Sequence, residues 1–152
     1  MRKKKVGKNR PIPKQDETIS FTVSSIDLIP DSVSVNKEET LDFAKRTPVK
    51  FNLSSDVEVN NDTRKILITT HYQLYNENVT YFKMQVRTTF LISNKIDTST
   101  NEDFLKYLVV MSVHHARGVQ SMAAKDTPYI DYLIPLINEN KIDKIEGETS
   151  DD

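Results

Sequence analysis

From Thr18 the chain alternates between apolar and polar residues: Ile19, Phe21 and Val23 share one parity, and Ile26 and Leu28 continue on the other. Successive side chains of a strand point to opposite faces. The change of phase across Ser24-Ser25 therefore predicts a β-bulge that re-aims the second half of the strand, and Pro30 closes it. Alternation returns with Val49, Phe51 and Leu53 against Lys50, Asn52 and Ser54, and Val57 and Val59 extend it. Asn60-Asn61-Asp62 is a turn signal. A third strand follows over Arg64 to Leu74, rich in β-branched Ile66, Ile68, Thr69 and Thr70. Asn76-Glu77-Asn78 gives a second tight turn. The fourth strand, Val79 to Ile92, sets Phe82, Met84, Val86, Thr88 and Phe90 against Tyr81, Lys83, Gln85, Arg87 and Thr89. Short turns between such strands make antiparallel hairpins, so the middle of the chain reads as a meander with one buried face. Residues 31–47 fit no single element: Asn36 to Arg46 suits a short helix, a loop or an irregular extended stretch.

The period then changes. Ser99 and Glu102, and Thr100 and Asp103, have capping-box spacing, and Phe104 to Ala124 is free of proline. Phe104, Leu108, Met111, His115 and Met122 approximate one stripe; Leu105, Val109, Ala116, Val119 and Ala123 form an adjacent one. This arc is wider than an ordinary amphipathic face, as in a helix that touches both its own sheet and a partner. Ser112, Ala116, Gly118 and Ser121 are small, which suits close packing on the sheet or a helix–helix contact. Lys125-Asp126-Thr127-Pro128 ends the regular helix. Tyr129, Ile130, Tyr132, Leu133, Ile134, Leu136 and Ile137 then form an apolar run broken at Pro135. Such a run completes a core, forms a dimer seam or receives a ligand.

The expected fold class is α+β: a four-stranded antiparallel sheet with one long helix in the second half packed on one face. Residues 1–16 read as a flexible basic arm, 17–140 as the domain and 141–152 as an acidic, disordered tail. Net charge is −1, from 21 basic and 22 acidic residues, so no overall field favours nucleic acid. Contact of the arm residues Arg2 to Lys5 with nucleic acid would be weak and sequence-blind, and nucleic acid is not an expected partner. No stretch approaches the roughly 18 apolar residues of a membrane span. No apolar segment follows the basic start to make a signal peptide. The expectation is a cytoplasmic protein with no membrane insertion.

Candidate chemistry is sparse. Cysteine is absent, which removes disulfides, thiolate metal sites and thiol nucleophiles. Gly7, Gly118 and Gly147 have neither dinucleotide-fingerprint nor P-loop spacing. His114 and His115 are adjacent and point about 100° apart on a helix, so they make no chelating pair; neither has a carboxylate one turn away. Histidine-dependent hydrolysis would need a carboxylate orienting His71 or His115. Arg117 reads as a rim ion pair or carbonyl contact, with anion binding as the alternative. No catalytic constellation stands out, and the expectation is a non-enzyme without cofactor or metal. Polypeptide binding needs only reachable apolar area beside a strand edge.

Three segments carry a resemblance to a known family: His115-Ala116-Arg117 on the helix, Thr127-Pro128-Tyr129 after it, and Ile134-Pro135-Leu136-Ile137-Asn138. With the order of four strands, long helix and proline-bracketed crossing segment, the chain resembles the SecB-type bacterial protein-export chaperones over residues 17–140. The resemblance implies a homotetramer, a dimer of dimers with long helices at the seam. It implies grooves that hold unfolded or precursor polypeptide, and delivery to the SecA translocation ATPase. On that basis Tyr129, Ile130, Tyr132, Leu133 and Phe51 would line the groove, with Tyr72 and Phe82 as further candidates. Met111, His115, Ala116 and Gly118 would lie at the oligomer interface. Two features depart from the family. Glu139 to Asp152 has too few apolar residues for a well-anchored second helix, and Asp56, Glu58 and Glu77 are scattered among Lys50, Lys83 and Arg87 where the ATPase-binding acidic patch is expected. Two other readings therefore stand beside an export chaperone. One is a dedicated chaperone for a single client such as an antitoxin. The other is an adaptor that reuses the fold as an oligomerisation module.

Overall fold

The computed structural model describes residues 18–36, 49–77 and 79–142, and the backbone of 147–150. The basic arm 1–16 lies outside the described residues, as does most of the ambiguous stretch 31–47. The four expected strands are present: β1 (Phe21–Leu28), β3 (Lys50–Asn60), β4 (Lys65–Asn76) and β5 (Val79–Ile92). Two short strands join them, β2 (Ser34–Val35) and β6 (Gly147–Ser150). The long helix, α1, spans Glu102–Ala123.

The sheet order is β1-β5-β4-β3-β6, with β2 also paired to β5. β3, β4 and β5 form the meander, and β1 returns beside β5 in a Greek-key arrangement. The phase change read from Ser24-Ser25 is a bulge between Val23 and Ser25. It places Phe21 and Val23 opposite Ile92 and Phe90, and Ile26 and Leu28 opposite Thr88 and Val86, so all four point to one side; Phe21 and Val23 pack on the core there and Ile26 and Leu28 stay exposed. A second bulge, at Leu74/Tyr75, leaves Tyr81 unpaired between Thr80 and Phe82. Tyr81, assigned to the polar parity by simple alternation, is consequently turned into the core, 6.1 Å from Tyr129.

α1 lies across the inner face of β4 and β5. Its sheet-facing stripe is Leu105, Leu108, Val109, Ser112, Val113, Ala116 and Gln120, packed on Val59, Ile66, Ile68, Phe82, Met84 and Phe90. The capping box does not form. Asn101 is the N-cap and makes no side-chain cap bond, because Ser99 is engaged upstream: its backbone N–H and hydroxyl both donate to Asp97 Oδ1, at 2.8 and 2.6 Å. Those bonds hold the Asp97 carboxyl below the usual carboxylate range. Asn61, in the β3–β4 turn, fixes the approach to the helix. Its buried amide exchanges hydrogen bonds with the Ile96 backbone, donating at 3.0 Å and accepting at 2.9 Å.

After Ala124 the chain doubles back over the helix and sheet, ending in a 3₁₀ turn at Glu139–Lys141. Beyond it, within the stretch expected to be a tail, β6 runs parallel to β3 with Val57 opposite Gly147 and Asn60 opposite Ser150. Residues 143–146 and 151–152 of that tail lie outside the described residues. Among the described residues no helix is long and apolar enough to cross a membrane.

Candidate functional site

The crossing segment splits into two parts. In the first, Tyr129 is a core residue, 1% exposed, with its ring tilted against Tyr81 and Phe82 and its hydroxyl donating to the Asn36 carbonyl. Ile134 is fully buried, while Ile130, Tyr132 and Leu133 are half-buried. One buried amide organises this part. Gln120 donates to the Tyr132 carbonyl at 3.0 Å and accepts from the Ile134 N–H at 2.7 Å. The Tyr72 hydroxyl donates to the same Tyr132 carbonyl at 2.7 Å. Burial raises the Tyr72 hydroxyl above the ordinary tyrosine pKa, with the Gln120 contact acting the other way. The backbone from 132 to 134 is thereby tied to both the helix and β4. Of the residues expected to line a groove, Tyr129 offers a ligand no surface in this chain. A ring this large at a helix end fills the space between sheet and crossing segment.

The second part is open. Ile137 and Ile142 are half-buried, and Leu136 is 68% exposed. His114 Nε2 lies 3.2 Å from the Ile137 carbonyl. Between this part, α1 and β3 runs a cleft of about 460 Å³ of mixed character, with apolar Leu53, Val57, Val109, Val113, Ile137 and Ile142 and polar Ser54, Ser55, Asp56 and Lys141 in its lining. The backbone of β3 from Leu53 to Val57 forms one wall. Phe51 continues the wall on the same face, 54% exposed, its ring stacked on Tyr72 at 6.4 Å. Among the described residues β3 pairs with β6 only over Val57–Asn60, and Lys50–Asp56 has no partner strand among them on the side away from β4. A free edge presents unpaired N–H and C=O groups that template an added strand.

The helix residues expected at an oligomer seam do not share one environment. Ala116 is fully buried against the sheet, because it follows Ser112 and precedes Gln120 on the stripe that packs inward. It cannot face a partner. Met111 and His115 are half-buried and Gly118 is exposed, on a flank that also carries Tyr107 and Met122, the latter 78% exposed. A Cβ at Gly118 would meet nothing within 4 Å, so packing within this chain does not require the glycine. His115 Nδ1 and Arg117 Nε are buried with no hydrogen-bond partner among the described residues, so the expected contact of Arg117 is not made through Nε. Burial, and then the neighbouring His114, lower the pKa of His115.

The opposite face of the sheet carries a polar hollow of about 350 Å³ beneath the 29–32 turn, lined by Ser32, Asn52, Ser54, His71, Gln73, Lys83 and Gln85. At its edge His71 Nε2 lies 2.7 Å from Asp56 Oδ2, so a carboxylate does stand beside this histidine. The Asp56 side chain is 80% exposed, and among the described residues no hydroxyl is hydrogen-bonded to His71. Among the described residues the pair has no hydroxyl nucleophile oriented on it.

Sequence reasoning missed Gln120, Val113 and Ile142. Gln120 carried a readable signal: it stands four residues after Ala116 and eight after Ser112, a polar residue on a small-residue stripe that faces the sheet. Such a position demands a buried amide with partners.

No protein-family model matches the chain, and no curated protein matches it. Among solved structures, the Mycobacterium tuberculosis SecB-like chaperone in complex with a ChAD peptide from the HigA1 antitoxin aligns over 83% of this chain and 88% of its own, at 9% identity and a TM-score of 0.38.

Proposed function

We propose that this protein is a chaperone-type binder of unfolded polypeptide, holding an extended segment along the Lys50–Asp56 edge of β3 and in the cleft beside it. One observation supports this reading: among the described residues Lys50–Asp56 has no strand partner on the side away from β4, where Leu53, Val109, Val113, Ile137 and Ile142 contribute apolar lining to a reachable cleft. Backbone pairing to an edge gives affinity without regard to sequence, and an adjoining apolar channel selects segments with alternate hydrophobic side chains. Only unfolded chain offers both at once. Phe51, Leu136 and the half-buried Ile130, Tyr132 and Leu133 extend the apolar rim. The binding needs no nucleotide, metal or covalent step. A dedicated client and a precursor destined for export are both served by this mode.

A second reading, an adaptor built on an oligomer interface, is favoured by the sealing of Tyr129 and Ile134 in the core. The two readings differ in what the cleft does. Stoichiometric protein is expected to suppress aggregation of a chemically unfolded client without ATP, and Leu53→Asp or Phe51→Asp to abolish that protection while the fold persists. Unchanged aggregation in the presence of the wild-type protein would leave the adaptor reading.

A further inference from the structure

The polar hollow of about 350 Å³ lies on the face of the sheet away from the cleft. Its floor is two adjacent rows of three side chains set by strand register: Asn52, Gln73 and Lys83 in one, Ser54, His71 and Gln85 in the next. The 29–32 turn supplies a wall, through Ile29, Pro30, Asp31 and Ser32. We infer that this hollow binds a small, uncharged polyhydroxylated molecule, of the chemical class of a monosaccharide or cyclic polyol. Hollow and cleft are on opposite faces, so this ligand is independent of any polypeptide client.

Size, rigidity and chemistry agree on that class. Three strands across and two rows along give a floor of about 10 Å by about 7 Å, the footprint of one six-membered ring with its substituents. The wall is held in place: the Ser32 hydroxyl donates to the Ile29 carbonyl at 2.7 Å and accepts from the Gln85 N–H at 3.1 Å. A site already formed loses little to ordering when a ligand enters. The described chain on both flanks, Ser34–Asn36 beside β5 and Lys50 on β3, runs past the hollow toward the β4–β5 turn and not through it. The side chains of Asn52, Ser54, Lys83 and Gln85 have no hydrogen-bond partner among the described residues. Gln73 donates its amide to Thr80 Oγ1 at 2.8 Å, which leaves its carbonyl oxygen as an acceptor. Amides and hydroxyls both donate and accept, and so do the hydroxyls of a polyol. Charge points the same way. The lining carries one carboxylate, Asp31, against one ammonium, Lys83, while Asp56 lies outside it, held by His71 Nε2 at 2.7 Å. A phosphate or carboxylate only accepts, so it would oppose Asp31 and leave the amide oxygens unmatched.

The test is a titration of the isotope-labelled full chain with glucose, galactose and myo-inositol, and separately with glycine and inorganic phosphate, followed by backbone amide NMR. At least one of the three polyols is expected to shift the amides of Gln73, Lys83 and Gln85, with a Kd on the order of 1–10 mM, as expected for a ligand of about twelve heavy atoms. Asn52→Ala and Gln85→Ala remove side chains that hold no other part of the described fold, and each is expected to weaken binding roughly fivefold or more. Leu136→Ala, on the cleft side, is expected to leave it unchanged. No shift with any of the three polyols overturns the inference. Shifts with phosphate or glycine and none with the polyols overturn it as well, because the hollow then reads charge. Polyol shifts of undiminished affinity in both hollow variants would place the ligand elsewhere, with the same result.

Discussion

Tyr129–Ile134 and Leu136–Ile142 are two halves of one crossing segment, the first with five apolar residues of six and the second with three of seven, and they end in different environments. The first is bound into the molecule by Gln120, Tyr72 and the Tyr129 hydroxyl, each satisfying or supplying a backbone group. The second closes its own 3₁₀ turn and, among the described residues, is hydrogen-bonded to the rest of the fold through His114 at the Ile137 carbonyl, while Leu136 stands in solvent. Apolar content separates them only in degree; the buried partners of their backbone groups separate them sharply. A segment becomes core when buried partners exist for its N–H and C=O groups. Where such partners are lacking the segment stays at the rim, and its apolar side chains remain available to other chains.

That contrast can be broken from the sealed side. Tyr129→Ala removes the ring that fills the space beneath the segment and is expected to cost about 3–5 kcal/mol in urea unfolding. Gln120→Leu keeps the volume but strands the Tyr132 carbonyl and the Ile134 N–H; a loss of about 1–3 kcal/mol for each buried group left unpaired is expected. The open side should respond the other way. Leu136→Ala is expected to change stability by less than about 0.5 kcal/mol, yet to weaken binding of an unfolded peptide by up to tenfold, about 1.4 kcal/mol, as read by fluorescence anisotropy. If Leu136→Ala proves as destabilising as Tyr129→Ala, or Tyr129→Ala leaves the urea midpoint unchanged, the division of the segment is wrong.

The smallest effect concerns His115, on the helix flank away from the segment. Its folded pKa lies below the ordinary histidine value because burial disfavours the cation. The unfolded chain therefore binds the proton more readily. The contribution to stability is complete above the unfolded value of about 6.5 and is lost as pH falls through the lower folded value. Urea midpoints measured across this range should fall on acidification in the wild type and fall less in His115→Gln.

Much of this architecture was legible in the chain. Strand parities, both turns and the bulge at Ser24-Ser25 follow from alternation alone, since a half-buried strand tolerates no phase error. Tyr81 defeated the same reasoning, because a bulge opposite Leu74/Tyr75 changes parity without a break in the apolar pattern. The helix extent was readable but not its start: Asp97, two residues upstream, competes for Ser99. The cleft was only half visible. Phe51 and the crossing segment were identifiable as apolar and unaccounted for, but Tyr129 and Ile134 look no different in sequence from Leu136. What separates them is the Gln120 amide, which donates to the Tyr132 carbonyl and accepts from the Ile134 N–H twelve and fourteen residues away, and the Tyr129 hydroxyl, which donates to the Asn36 carbonyl. The edge at Lys50–Asp56 depends on sheet order, which no local pattern specifies.

The claim that foreign polypeptide lies along β3 is tested most directly by photo-crosslinking. Benzoylphenylalanine is placed at Phe51, beside the cleft, and in a separate protein at Leu91, which is 40% exposed but on the opposite face of the sheet. With an unfolded client present, the probe at 51 is expected to capture it and the probe at 91 to remain unlinked. Equal capture at both positions, or capture at 91 alone, would contradict the account.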